Sequence, residues 1–274
     1  MKKLSLVLGV LIITSLVLAA CGAQAPTTAP SGGSSAAGMP DLKGKTITVA
    51  VENAYPPFNS IDSTTNKGVG WDYDTVNEIC KRLNCVAQFK QAAWDGIFPA
   101  MAAGEYDMLA DGVTFKMGRA WAVDFSIPYA AVAQQLVVRA DDTHSLDDFK
   151  NDTNLKVGSQ IGTTNYIAAT TAFPNRTIQS YSDFGAAVLA LIAGDIDGVV
   201  LDDTAAFGFM QENQGKLKIA GVIQTGDLLA FVFPPNSSLL GPVNAAMRAM
   251  HDDGTLATLN KKWNLADPGA TELK

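Results

Sequence analysis

The chain has 274 residues, 47% of them hydrophobic, and carries 27 acidic against 20 basic side chains for a net charge of −7. That balance, with no basic block anywhere, excludes nucleic-acid binding, which relies on lysine and arginine to neutralise phosphates. Past the N-terminus no second long apolar run occurs, so the body is expected to be soluble and to hold one large or two small lobes.

Lys2 and Lys3 precede an apolar stretch from Leu4 to Ala20, the layout of a secretory signal over residues 1–20. Leu18-Ala19-Ala20-Cys21 resembles the bacterial lipobox, in which the cysteine is lipid-modified and becomes the new N-terminus. An ordinary Ala-x-Ala cleavage site is the alternative. Residues 22–40 hold no large apolar side chain except Met39 and cannot bury enough surface to offset ordering entropy. Residues 21–40 are therefore expected to tether a lipid-anchored protein outside the cytoplasm, in the periplasm or on the outer face of the cytoplasmic membrane. With Cys21 lipidated, Cys80 and Cys85 are left in an oxidising compartment; a local disulfide and two free, half-buried thiols both remain open.

From Lys45 the pattern is regular. TITVAV is β-rich, WDYDTVNEICKRLN puts Val76, Ile79, Cys80 and Leu83 on one helical stripe, and VAQFK is strand-like. A helix with Ile97, Phe98 and Met101 follows, stopped at Gly104, with Pro99 tolerable only in its first turn; a strand is expected over Tyr106–Ala110. A second series starts after Leu146: LKVGS strand, NYIAATTAF helix, TIQSY strand, a helix ending at Gly194, GVVL strand, AAFGFMQENQG helix and LKIAGVI strand. Alternating elements of these lengths predict an α/β protein of two lobes, each with a parallel-rich sheet covered by helices. AQQLVVRA (133–140) and DLLAFVFPP (227–235) are suited to cross between lobes as a two-strand hinge. The C-terminal helical stretch, with a stop at Gly254, should return to the first lobe. The expected division is 41–134 with 232–274 for the first lobe and 135–231 for the second.

In open parallel sheets ligands bind beyond the carboxyl ends of strands, where loops diverge and helix N-termini offer unpaired N–H groups. Those ends carry Glu52, Tyr55, Trp94, Asp111, Gly112, Thr114 and Arg119 in the first lobe, and Gln160, Thr164 and Asp202 in the second. One arginine with hydroxyls suits a carboxylate, aspartates suit an ammonium, and two aromatics suit a side chain: together they describe a zwitterion receptor. Plainer roles exist for each. Arg119 could be a solvated arginine, Asp202 a helix N-cap, and Tyr55 and Trp94 core. The cap is assigned to Asp203.

The run WDGIFPAMAAGEYDMLADGVTFKMGRAWAVDFSIPY, with AYPPF, GWDYDTVNEIC, GSQIGTT, DGVVLDD and DGTLATLNKKW, resembles the periplasmic polar-amino-acid-binding proteins of ABC importers, the family 3 solute-binding proteins, from about residue 45 to 264. The resemblance implies a type II two-lobed binding protein that closes over one amino acid and hands it to an ABC permease, working as a monomer without cofactor or catalysis. It implies that Arg119 takes the α-carboxylate with Thr114 and Gly112, that Thr164 and Gln160 serve from the second lobe, that Asp202 takes the α-ammonium, and that Tyr55 and Trp94 are the first-lobe aromatics. Lys116, Gly118 and Asp111 depart from the family pattern; the first two are expected on the outer face of the turn and Asp111 in the pocket.

His144 and His251 sit in polar turns and read as surface residues; no G-x-S-x-G, P-loop or metal-ligand spacing occurs, and DIDGVVLDD lacks EF-hand spacing. Two alternatives stay open. A dehydratase on the same fold would use Glu52 or Asp111 as general acid, and a sensor would report occupancy to a membrane receptor. Two carboxylates, Glu52 and Asp111, facing the cleft beyond the α-carbon favour arginine, lysine or ornithine over a neutral polar ligand, unless one of them instead binds an amide.

Overall fold

The structure, a computed structural model, describes residues 38–265; the signal segment, Cys21, most of the tether and the last nine residues lie outside the described residues. In chain order the elements are β1 (Lys45–Val51), β2 (Ala54–Tyr55), β3 (Asn59–Asp62), β4 (Lys67–Val69), α1 (Trp71–Leu83), β5 (Cys85–Gln91), α2 (Ile97–Ala102), β6 (Met108–Thr114), α3 (Met117–Ala120), β7 (Asp124–Phe125) and β8 (Ala130–Arg139). They continue as α4 (Leu146–Asn151), β9 (Val157–Gln160), α5 (Thr164–Ala172), β10 (Gln179–Tyr181), α6 (Phe184–Ala193), β11 (Gly198–Asp202), α7 (Asp203–Glu212), β12 (Leu217–Phe233), α8 (Leu240–Asp252) and α9 (Thr255–Lys262).

The large sheet runs β10-β9-β11-β8-β12-β6-β1-β5, with β7 also paired to β12; β2-β3-β4 form a small second sheet. At one end β6, β1 and β5 are parallel neighbours, and at the other so are β10, β9 and β11. The antiparallel pair β8 and β12 stands between them and hydrogen-bonds both ends into one ladder. The crossing segments expected from 133–140 and 227–235 are these two strands. LKIAGVI and DLLAFVF, read as separate elements, merge into one 17-residue strand that absorbs its bend through three register shifts against β8.

Burial follows the sequence pattern. On α1, Trp71, Thr75, Ile79 and Leu83 recur every fourth residue and are all buried, with Asp72, Val76 and Cys80 beside them. Asn84 ends the helix in the left-handed conformation (φ 53°), its N–H returning to the Cys80 carbonyl, and Cys85 starts β5 at once. Cys80 and Cys85 are disulfide-bonded with Cα atoms 4.5 Å apart. Closing so short a loop contributes about 2 kcal/mol in the chain-entropy account. Pro99 falls in the first turn of α2, and Gly194 closes α6 at φ 86°.

Other elements differ from expectation as well. Strand β6 runs on to Thr114, because β12 pairs with it there (Val113 with Ala230, Thr114 with Leu229); Asp111, Gly112 and Thr114 are thus strand residues rather than loop residues. The small β2-β3-β4 sheet follows no apolar alternation in NSID or KGV. Helix α4 begins at a capping box in which Ser145 and Asp148 satisfy each other's backbone N–H groups.

Candidate functional site

One cavity gathers the carboxyl ends of the parallel strands from both ends of the sheet. It spans about 310 Å³ of space between atoms, part of it open to solvent, and all ten residues singled out from the sequence line it: Glu52, Tyr55, Trp94, Asp111, Gly112, Thr114, Arg119, Gln160, Thr164 and Asp202. Thr163, Asn165 and Phe184, which are not among those ten, line it too. Thr163 caps α5, accepting from the Tyr166 N–H at 3.1 Å, a role legible in the Gly-Thr-Thr turn. Phe184 packs on the Tyr55 ring with centroids 5.6 Å apart. As an apolar residue opening a helix it carries no signal that separates it from core.

The two sides meet through polar contacts. Tyr55 Oη donates to Asp202 Oδ2, Gln160 Nε2 donates to Glu52 Oε1 at 2.8 Å, and the Thr114 and Thr164 hydroxyls lie 3.2 Å apart. Arg119 Nη1 donates to the Thr114 carbonyl at 2.9 Å and Nη2 to the Gly162 carbonyl at 3.4 Å. Gly112 must be glycine: its φ is +54°, and a Cβ there would fall 2.2 Å from the Tyr55 ring.

Arg119 sits over two aromatic faces, 4.6 Å from the Phe98 centroid and 5.2 Å from that of Trp94. No carboxylate among the described residues pairs with it. Burial lowers its pKa to about 10, which still leaves it a cation at neutral pH. Asp202 is the mirror case. It is 2% exposed, its Oδ1 has no partner, and burial raises its pKa to about 6 against the opposing pull of Tyr55 and Asn165. The cap assignment made from sequence is corrected here. Asp202 occupies the N-cap position of α7 but turns its carboxylate to Tyr55, while Asp203 is the first helical residue and accepts from the Thr204 N–H.

Glu52 and Asp111 both line the cavity, and both are held by amides. Glu52 Oε1 also accepts from the Trp94 N–H at 3.4 Å, and Asp111 Oδ1 accepts from Asn59 Nδ2 at 2.7 Å and the Glu52 N–H at 3.3 Å. Burial is the first cause pushing each carboxyl upward; Asp111 adds to the shift of Glu52, and Asp72 to that of Asp111. Behind the cavity, Asn59 Nδ2 donates at 2.9 Å to Asp72, whose other oxygen is buried without a partner. Lys116 turns outward, half-exposed, and pairs with Asp227 at 2.6 Å.

This acidic cluster sets a pH dependence. Burial raises Asp72 from 3.8 to about 7, against the Asn59 hydrogen bond. Below about pH 4 the carboxyl is protonated in folded and unfolded chains alike. Between that point and pH 7 only the unfolded chain ionises, so stability is lost as the pH rises through this window. The ligand-free protein is therefore expected to melt at a lower temperature at pH 8 than at pH 5. Asp72→Asn should recover on the order of 2 kcal/mol more at pH 8 than at pH 5. Thermal melts across this range check it; a melting temperature that climbs with pH contradicts the burial argument.

The arrangement of one cation and one anion, each lacking a charged partner and facing a shared cavity at the strand ends, is a binding geometry. The family profile of bacterial extracellular solute-binding proteins, family 3, matches residues 47–266. The chain belongs to that family. Its relatives among these solute-binding proteins include the L-cystine-binding protein TcyA of Bacillus subtilis, 28% identical over 96% of this chain and 97% of the relative. A probable histidine-binding protein of Campylobacter jejuni is 31% identical over 80% of this chain and 86% of the relative. Among solved structures, the arginine-, lysine-, histidine-binding protein ArtJ of Geobacillus stearothermophilus superposes with a TM-score of 0.76 at 26% identity, covering 84% of this chain and 99% of the other. The family 3 relatives are amino-acid-binding proteins of ABC transporters rather than enzymes. Among the described residues no helix is long and apolar enough to cross a membrane.

Proposed function

We propose that this family 3 protein captures a free L-amino acid between two lobes, residues 41–134 with 232–274 and residues 135–231, and delivers it unchanged to an ABC permease. The observation that carries the reading is the pair Arg119, half-buried, and Asp202, buried, oppositely charged, without charged partners among the described residues and lining one cavity. Arg119, with Thr114 and Gly112, takes the α-carboxylate; Asp202, with Thr164, takes the α-ammonium, which displaces the Tyr55 hydroxyl or uses the free Oδ1. Tyr55 and Trp94 flank the side chain, and Glu52, Asp111 and Gln160 face its far end. Engagement of groups from both lobes favours the closed form through contacts made only there. Cys21 carries the lipid anchor, and the protein acts as a monomer.

The ligand class we favour is basic, because among the described residues Arg119 is the one cation on the cavity wall while Glu52, Asp111 and Asp202 all stand on it. Calorimetry of residues 38–274 against the common amino acids, with mass spectrometry of the recovered ligand, tests the function. Binding without conversion is expected; conversion, or no binding to any of them, sinks it. Competition tests the class. If glutamine displaces bound ligand better than arginine and lysine, the amides on Glu52 and Asp111 define a neutral site instead.

A further inference from the structure

We infer that a second cavity on the far side of Glu52 is a subsite for the cationic end of a long side chain, so that the site extends to amino acids of arginine length and beyond; this rests on the basic-ligand reading above. Glu52 lines both cavities. The second holds about 820 Å³ of space between atoms, part of it open to solvent, and its walls include Asn53, Gln91, Ala93, Ser182 and Asp183. Like the first, it draws its walls from both ends of the sheet, the segments that follow β1 and end β5 on one side and the β10–α6 turn on the other.

Two features point to a cationic occupant. Glu52 is 9% exposed, and while its Oε1 is tied to Gln160 and Trp94, no hydrogen bond from the described residues engages Oε2. A carboxylate oxygen without a protein donor at the wall of a solvent-open cavity offers a charge-assisted contact to a cation. Across the same cavity, Asp183 accepts from the Ala186 N–H at 2.7 Å and from Ser182 Oγ at 3.0 Å, and none of the ion pairs among the described residues neutralises it. Among the described residues neither lysine nor arginine lines this cavity. A ligand ending in a carboxylate would meet two like charges there, whereas a guanidinium or ammonium meets two opposite ones, with the Asn53 and Gln91 side chains beside it. The first cavity is small and closed by cross-cleft hydrogen bonds, so a long side chain finds room by passing Glu52 rather than by folding back. Gln160 marks the passage, since its Nε2 bridges Glu52 Oε1 and, at 3.0 Å, the Ser182 carbonyl.

Calorimetry with ornithine, lysine, arginine and homoarginine on the wild type, Asp183→Asn and Ala93→Leu tests the subsite. Asparagine caps a helix as well as aspartate does, so Asp183→Asn keeps the start of α6, and Ala93 is exposed. Affinity should rise with side-chain reach in the wild type. Asp183→Asn should lower arginine and homoarginine affinity about fivefold more than ornithine affinity, and Ala93→Leu should erase the advantage of homoarginine. If basic amino acids bind but all respond alike to both substitutions, the subsite is wrong and the basic-ligand reading stands. If none of them binds, both fall.

Discussion

Arg119→Ala is expected to lower amino-acid affinity by about 2–5 kcal/mol, roughly thirtyfold to several thousandfold, because it truncates one partner of a desolvated charge pair and leaves the ligand carboxylate buried without a donor fork. The guanidinium is held in place before any ligand arrives. Thr114 accepts from Nη1, and the Phe98 and Trp94 faces fix its plane. Arg119→Lys should fall nearly as far, since an ammonium is a point charge and supplies no second parallel hydrogen bond. The fold should survive both changes: no acidic side chain among the described residues depends on Arg119 for neutralisation, and the two carbonyls it touches lie at the cavity where water can replace it. Calorimetry for affinity and a circular-dichroism melt for stability separate the two effects. Wild-type affinity in Arg119→Ala would remove the carboxylate assignment altogether.

What could be read before folding was chemistry at strand ends, and what could not was who reaches across. Arg119 and Asp202 were legible because each follows an apolar β-prone run, and parallel strands put such ends on one edge. The continuation of β6 through Asp111 and Thr114 was hidden because Asp-Gly reads as a turn; its extended state depends on β12, a strand more than a hundred residues away. Asp202 and Asp203 were exchanged as caps for a similar reason. Two adjacent aspartates at a helix start satisfy the same local rule, and only Tyr55, 147 residues distant, draws the first of them away from it. The amides on Glu52 and Asp111 come from Gln160 and Asn59, separated from them by 108 and 52 residues. Sequence periodicity carries no information about such pairings, yet they bear directly on whether the site prefers a cation or an amide.

Asp202→Ala is expected to match Arg119→Ala in its effect on binding, a loss of about 2–5 kcal/mol, while leaving the ligand-free protein as stable as the wild type or more so. The carboxylate is 2% exposed, its Oδ1 is unpartnered, and its side chain makes no capping hydrogen bond, although the residue occupies the N-cap position of α7. Its single strong contact is the Tyr55 hydroxyl. Such a group contributes little to the fold and bears the cost of leaving water, which shows as a pKa raised to about 6, so stability attributable to it falls as pH rises from about 4 toward that value. Removing it should therefore raise the melting temperature at pH 8 more than at pH 5, even as affinity collapses. Tyr55→Phe separates the two partners of the pair. Losing the hydroxyl should leave Asp202 poorer in hydrogen bonds without ligand and freer to receive an ammonium, so affinity should hold or improve while ligand-free stability drops. If Asp202→Ala instead binds as tightly as the wild type, or unfolds, the aspartate is a structural capping group after all and the ammonium must be sought elsewhere on the cavity wall.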